Sequence, residues 1–174
     1  MPDPTKQERF DQLLTPQAYR RAWNFACRLA ATREDAEDLF QESLAKAYRS
    51  LDRLRDPGRF CAWLMTIVRN CFLHARRRKR FEFVDSYWYR LVSDGAVEDP
   101  LAESIAEALA RLPKAQHEIL SLFYLDGLSL EETGWVLGVA PQVVGQRLFR
   151  ARRALRRVIA DPGMLGIQPQ RCKQ

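Results

Sequence analysis

Residues 126 to 159, DGLSLEETGWVLGVAPQVVGQRLFRARRALRRVI, constrain the fold of this chain more than any other stretch. Ser129 stands at an N-cap position, with Glu132 three residues on at the spacing of a capping box. Leu130, Thr133, Val136 and Leu137 then follow a helical period, and Gly138 closes the helix as its C′ residue. Pro141 opens the next helix at its first position, where a missing N–H costs nothing. The spacing predicts two helices joined by a tight turn, a helix-turn-helix.

The second of these helices carries one apolar stripe, Val144, Leu148, Ala151, Leu155 and Val158 or Ile159, at steps of three and four. Its other faces hold six arginines between 141 and 159 and no acid. Arginine suits bidentate contact with phosphate or guanine. A merely solvated surface helix is the plain alternative, but such a face normally mixes signs. The pattern therefore points to a recognition helix for duplex DNA.

The whole chain has 174 residues, is 47% hydrophobic and carries a net charge of +6. That is enough apolar material for one domain or two small ones, and the charge favours a polyanionic partner only weakly. No apolar run approaches the roughly 20 residues that span a bilayer. The first residues, MPDPTKQERFDQLL, lack the apolar core of a signal peptide, so a cytoplasmic protein is expected. Cys27, Cys61, Cys71 and Cys172 show no C-x-x-C spacing and no disulfide framework. Cys71 and His74 could share a helix face, but a structural metal site wants four ligands and the only other histidine is His117. No nucleophile–base pair, phosphate loop or metal cage stands out, so neither an enzyme nor a cofactor is expected.

Helix signals dominate the rest. A first helix is predicted from Thr15 and Pro16 to about Ala31, with Ala22, Phe25, Ala26 and Leu29 inward. Thr32 caps a second, to about Leu54, burying Ala36, Leu39, Phe40, Leu44, Ala47 and Leu51. After the turn Arg55-Asp56-Pro57-Gly58, a third buries Phe60, Trp63, Leu64, Ile67, Val68 and Cys71 and runs into Arg76–Arg80. Residues 81–99 lack a period and read as a linker, with Phe81, Phe83, Tyr87, Trp88 and Tyr89 expected to dock. A helix from Pro100 to about Arg111, one from Pro113 to about Tyr124, and the helix-turn-helix complete the pattern. The expected fold is all-α: a domain over 1–80, the linker, a four-helix helix-turn-helix domain over 100–160, and a tail over 161–174.

Charge is partitioned between these helices. Glu34 to Glu42 holds five acids, and Asp35, Asp38 and Glu42 form a stripe at steps of three and four. The helix dipole explains acids in the first turn but not Glu42, two turns in. From Phe60 to Arg80 the balance reverses, with six Lys/Arg and no acid. Phosphates in a positive groove with polar edges nearby, here Asn70 and His74, are what single-stranded nucleic acid requires.

These pieces in this order, DAEDLFQESLAKAYRSLDRLR, FCAWLMTIVRNCFLHARRRKR and LPKAQHEILSLFYLDGLSLEETGWVLGV with RLFRARRAL, resemble bacterial RNA polymerase sigma factors of the extracytoplasmic-function type. The resemblance covers residues 15 to 80 and 100 to 159. It implies a promoter-specificity factor that binds core RNA polymerase, recognises promoter DNA and helps melt it. By resemblance, Asp35, Asp38, Gln41 and Glu42 would bind core polymerase. Arg69, Asn70, His74, Arg76, Arg77, Arg78 and Arg80 would hold the melted minus-ten element. Gln142, Gln146, Arg147, Arg150 and Arg153 would read the minus-thirty-five element in duplex form. An anti-sigma factor is the further partner implied.

The chain departs from the family pattern at reading positions. Val143 and Gly145 stand where Ser or Thr and a basic residue are usual, and Gly134-Trp135 replaces small alanines. The upstream preference is therefore either unusual or weak. Two rival readings are a stand-alone helix-turn-helix regulator with a palindromic site and a helical adaptor that binds only protein. DNA affinity that falls steeply with salt separates the latter from the other readings.

Overall fold

The computed structural model describes residues 4–77 and 100–160. These form eight α-helices, with no strand among them: α1 (Pro4–Leu13), α2 (Pro16–Leu29), α3 (Arg33–Arg49), α4 (Phe60–Arg77), α5 (Pro100–Ala110), α6 (Lys114–Leu120), α7 (Leu130–Leu137) and α8 (Pro141–Ile159). Arg78 and Arg80, the linker with its five aromatics, and the tail with Cys172 lie outside the described residues. Among the described residues, no helix is long and apolar enough to cross a membrane.

The caps read from sequence are in place. Thr15 and Thr32 accept from the N–H groups of Ala18 and Asp35, and Ser129 and Glu132 form a reciprocal capping box. Three ends fall earlier than expected. The first helix stops at Leu29, because Ala30 turns extended to bring Thr32 to its cap. The second stops at Arg49 rather than near Leu54. There the Ser50 side chain donates to the Lys46 carbonyl at 2.7 Å, competing with the backbone ladder, and Leu51–Arg53 continues as a 3₁₀ turn. The segment after Pro113 is α-helical only to Leu120, and Ser121–Leu125 widens into a π-type turn in which the Asp126 N–H donates to the Ser121 carbonyl. The sequence also hid α1, whose Phe10 packs edge-on against Tyr48 and Phe60.

In the first half, α2, α3 and α4 pack on one another; in the second, α6 and α7 pack on α8. Helix α4 also lies against α7, joining the halves. Phe25, Leu64, Met65 and Val68 from one half and Leu122, Val136, Val144 and Leu148 from the other belong to one continuous apolar cluster. An ion pair between Arg28 of α2 and Asp126, whose side chains are only 6% and 3% exposed, seals the seam. Trp63, expected in the core, is only half-buried: its outer edge lines a recess beside α7.

Two glycines of the helix-turn-helix obey opposite constraints. A Cβ on Gly134 would lie 2.7 Å from the Val139 carbonyl oxygen, while one on Gly145 would meet nothing within 4 Å. The close approach at Gly134 is held by the bond from the Val139 N–H to the Gly134 carbonyl, the closing contact of the helix end. Gly134→Ala is therefore expected to destabilise the fold by about 1–3 kcal/mol through backbone displacement. Gly145→Ala is expected to stabilise it by about 1 kcal/mol through helix propensity. Thermal unfolding checks both; equal shifts for the two would refute the packing difference.

Candidate polymerase and nucleic-acid interface

The acidic stripe is built by the phase of α3. Ala36, Leu39, Phe40, Ser43 and Ala47 turn inward. Asp38, Gln41 and Glu42 are left exposed, and Asp35 is half-buried in the capped first turn. Glu37 is held by Arg33 at 2.8 Å, whereas no described residue pairs with Asp38 or Glu42. Beside the stripe, Tyr19 and Trp23 of α2 stand edge-on to Phe40, at 5.0 and 5.5 Å between ring centroids. With Asp38 and Gln41 they line a recess of about 530 Å³. The sequence reading missed this aromatic wall because Tyr19 and Trp23 come from a different helix.

On α4, Asn70 and His74 are exposed one turn apart, and Arg77 continues their face. Cys71 instead turns into the core, so it and His74 do not share a face. Arg69 lies off that face and its Nε donates to Glu118 Oε1 of α6 at 3.0 Å. Arg76 lines a cleft between α2, α4 and α6 together with Arg28, Arg69 and Lys114. The open face extends further than the sequence suggested. Lys46 and Arg49 from the end of α3, with Arg53 from the 3₁₀ turn that follows, join Trp63 and Asn70 around a recess of about 440 Å³. Trp63, Arg53, Arg55, Arg59 and Trp135 line a second of the same size. The Arg59 guanidinium stacks 4.3 Å from the centroid of the Trp135 ring. A cluster such as LDRLRDPGR was the available signal, since its arginines are spaced across a turn rather than along one helix.

Helix α8 turns Val144, Leu148 and Ala151 inward and leaves Gln142, Gln146, Arg147, Arg150 and Arg153 exposed. Among the described residues no carboxylate pairs with Arg147, Arg150 or Arg153. Arg152 stacks over Phe123 and Tyr124. Phe149 is 66% exposed on this basic surface, an aromatic that the reading from sequence passed over. The structure thus separates the sites into an acidic ridge on α3, a basic groove along α4 and a basic helix α8.

Electrostatics at the seam follow from burial. Desolvation pushes the Asp126 carboxyl up to about 6, against the opposing pull of Arg28. Burial lowers Arg28 from its ordinary value, with Asp126 acting in the opposite sense. Burial likewise holds His117 below the usual histidine range, and Arg28 adds to the effect. Cys27, enclosed between α2 and α3, is pushed up to about 12 by burial and is an inert thiol.

Residues 16–82 match the model of Sigma-70 region 2 and residues 102–155 that of Sigma-70 region 4. The chain belongs to the extracytoplasmic-function sigma factors. It is 35% identical over 135 residues to the sigma factor EcfG of Rhodopseudomonas palustris, covering 75% of each chain. It is 34% identical over 164 residues to SigE of Mycolicibacterium smegmatis, spanning 87% of this chain and 62% of SigE, less than two-thirds of that relative's length. Its fold matches the sigma factor RpoE of Bartonella quintana, solved with the anti-sigma factor NepR. There the TM-score is 0.65 and the identity 27%, over 86% of this chain and 96% of that one. Region 2 of this sigma factor thus contains the acidic ridge and the basic groove, and region 4 contains the helix-turn-helix.

Proposed function

We propose that this sigma factor docks on core RNA polymerase through Asp35, Asp38, Gln41 and Glu42, with Tyr19 and Trp23 as an aromatic border. Desolvating an unpaired carboxylate against a cationic partner gives both attraction and register. The groove around Asn70, His74, Arg76 and Arg77 then holds the melted minus-ten strand, its cations on phosphates and Trp63 as a stacking surface. Helix α8 lies in the major groove of the minus-thirty-five element. Gln142, Gln146, Arg147 and Arg150 reach base edges and phosphates, Arg153 reaches the backbone, and Phe149 is suited to a thymine methyl. The factor works in the cytoplasm by binding energy alone, without a catalytic group.

One observation carries this reading: negative charge on α3 and positive charge on α8, each without an ion-pair partner among the described residues at Asp38, Glu42, Arg147, Arg150 and Arg153, sit on one chain whose two halves match sigma regions 2 and 4. An anti-sigma partner is supported by the RpoE complex with NepR. A stand-alone regulator leaves the acidic ridge without a role. Transcription in vitro with purified core enzyme on a fragmented genomic template tests the reading, and failure to stimulate any initiation overturns it. On promoters so found, Arg147→Ala with Arg150→Ala is expected to lower initiation at least about 30-fold where an upstream element is present, each of the two lost contacts being worth about 1–3 kcal/mol. Unchanged transcription there removes both residues from the interface.

A further inference from the structure

We propose that the cleft between α2, α4 and α6 binds a small phosphate monoester, with its phosphate on Arg69, Arg76 and Lys114 and an oxygen of its body on the Ser121 hydroxyl. The inference goes beyond the proposed function and stands whether or not the chain initiates transcription. The cleft is graded in depth. Phe25, Phe72 and Ser121 are buried at its floor, Leu29 and Leu73 are half-buried along it, and Arg76 and Lys114 are exposed at its mouth.

Ser121 is the group that calls for a ligand. It is 1% exposed and lines the cleft, and its Oγ has no hydrogen-bond partner among the described residues. Its carbonyl accepts from the Asp126 N–H in the π-type turn, so the side chain alone is left over. A buried hydroxyl without a partner is costly, and a ligand oxygen removes that cost.

Charge sets the class of ligand. Four cations line the cleft, Arg28, Arg69, Arg76 and Lys114, against one carboxylate, Glu118. Even with Asp126 set against Arg28, two positive charges remain, matching the charge of a phosphate monoester near neutral pH. Arg69 gives Glu118 only its Nε, one of the five donors of a guanidinium. Arg76 and Lys114 interact within the chain as well, but their charge attracts an anion without their donors being idle. His117 is held below the usual histidine range by burial and by Arg28, so it adds a hydrogen-bonding nitrogen rather than a charge.

Size narrows the class further. The cleft holds about 150 Å³, the volume of a cavity that accepts a benzene molecule. A phosphate ester of roughly three or four carbons is of that size. A nucleotide is too large.

The test titrates the full chain with glycerol phosphate in a calorimeter at constant ionic strength, with thermal unfolding beside it. The ester is expected to bind with a dissociation constant below about 1 mM and to raise the unfolding temperature as its concentration rises. Inorganic phosphate, which meets the cations without reaching Ser121, should bind at least about threefold more weakly, the worth of one hydrogen bond. Ser121→Ala should unfold no earlier than the parent, because it removes a buried hydroxyl that has no partner, yet bind the ester at least about threefold more weakly. Lys114→Gln, an exposed change that leaves the core intact, should weaken binding at least about fivefold through the loss of a charged contact. Arg157→Gln makes the same change of charge on α8 and should keep the parent's affinity. The inference is overturned by absence of saturable binding, by parental affinity in either the Ser121 or the Lys114 variant, or by equal weakening in the Arg157 variant. Inorganic phosphate binding as tightly as the ester also overturns it, since the floor of the cleft would then take no part.

Discussion

Asp38→Lys together with Glu42→Lys is expected to abolish capture of core RNA polymerase, with a loss of at least about 100-fold in affinity, or about 2.7 kcal/mol. Both side chains are exposed on one face of α3, and neither has a partner among the described residues. A binding partner therefore meets their full charge, and reversal places like charges in contact, which costs several kcal/mol across an interface. Lysine is a good helix former, and the buried face of Ala36, Leu39, Phe40 and Ala47 is untouched, so circular dichroism should not change. Asp35 has a second role, because its N–H donates to the Thr32 hydroxyl oxygen at the cap and its charge suits the helix dipole. Undiminished capture of core by the double variant, in a DNA-free pull-down, would remove the ridge from the polymerase interface.

Phe40→Ala is expected to have the largest effect on stability, about 3–5 kcal/mol. The ring is 1% exposed and is met edge-on by both Tyr19 and Trp23, so truncation removes apolar burial and two aromatic contacts. A loss of that size is a large part of the 5–15 kcal/mol that holds an ordinary domain together. The guanidinium unfolding midpoint measures it. A loss under about 1 kcal/mol would mean that α2 collapses onto α3 without the ring, and that the aromatic wall of the ridge is not rigid. The Phe40 variant also separates folding from docking: cooled until folded, it should keep Asp38 and Glu42 and still bind core, where the lysine variant should not.

Much of the candidate site was legible because it depends on helical phase. Asp38 and Glu42, Asn70 and His74, and the arginines of α8 lie where a period of 3.6 residues puts them, opposite apolar stripes. The capping box at Ser129 and the proline of α8 are signals over three or four residues, and they appear in place. Arg69 fits that phase equally well as a phosphate ligand, yet it faces Glu118, which is 49 residues away and on another helix. Trp63 belongs to an apolar stripe, but the turn after α3 leaves its edge open. Gly134-Trp135 is a departure from family habit in the sequence; in three dimensions the glycine admits the Val139 carbonyl and the tryptophan carries Arg59.

Residue order alone dictates a helical chain, where most of its helices start, which faces are apolar, and how charge divides among α3, α4 and α8. Those properties come from neighbours within about four residues, where side-chain spacing and backbone caps act directly. That the two halves share one core, and that Arg28 is buried against Asp126, 98 residues away, emerges when the helices pack. The physical reason is that complementarity across a seam depends on two surfaces meeting, and no local period records which distant carboxylate a buried arginine will face.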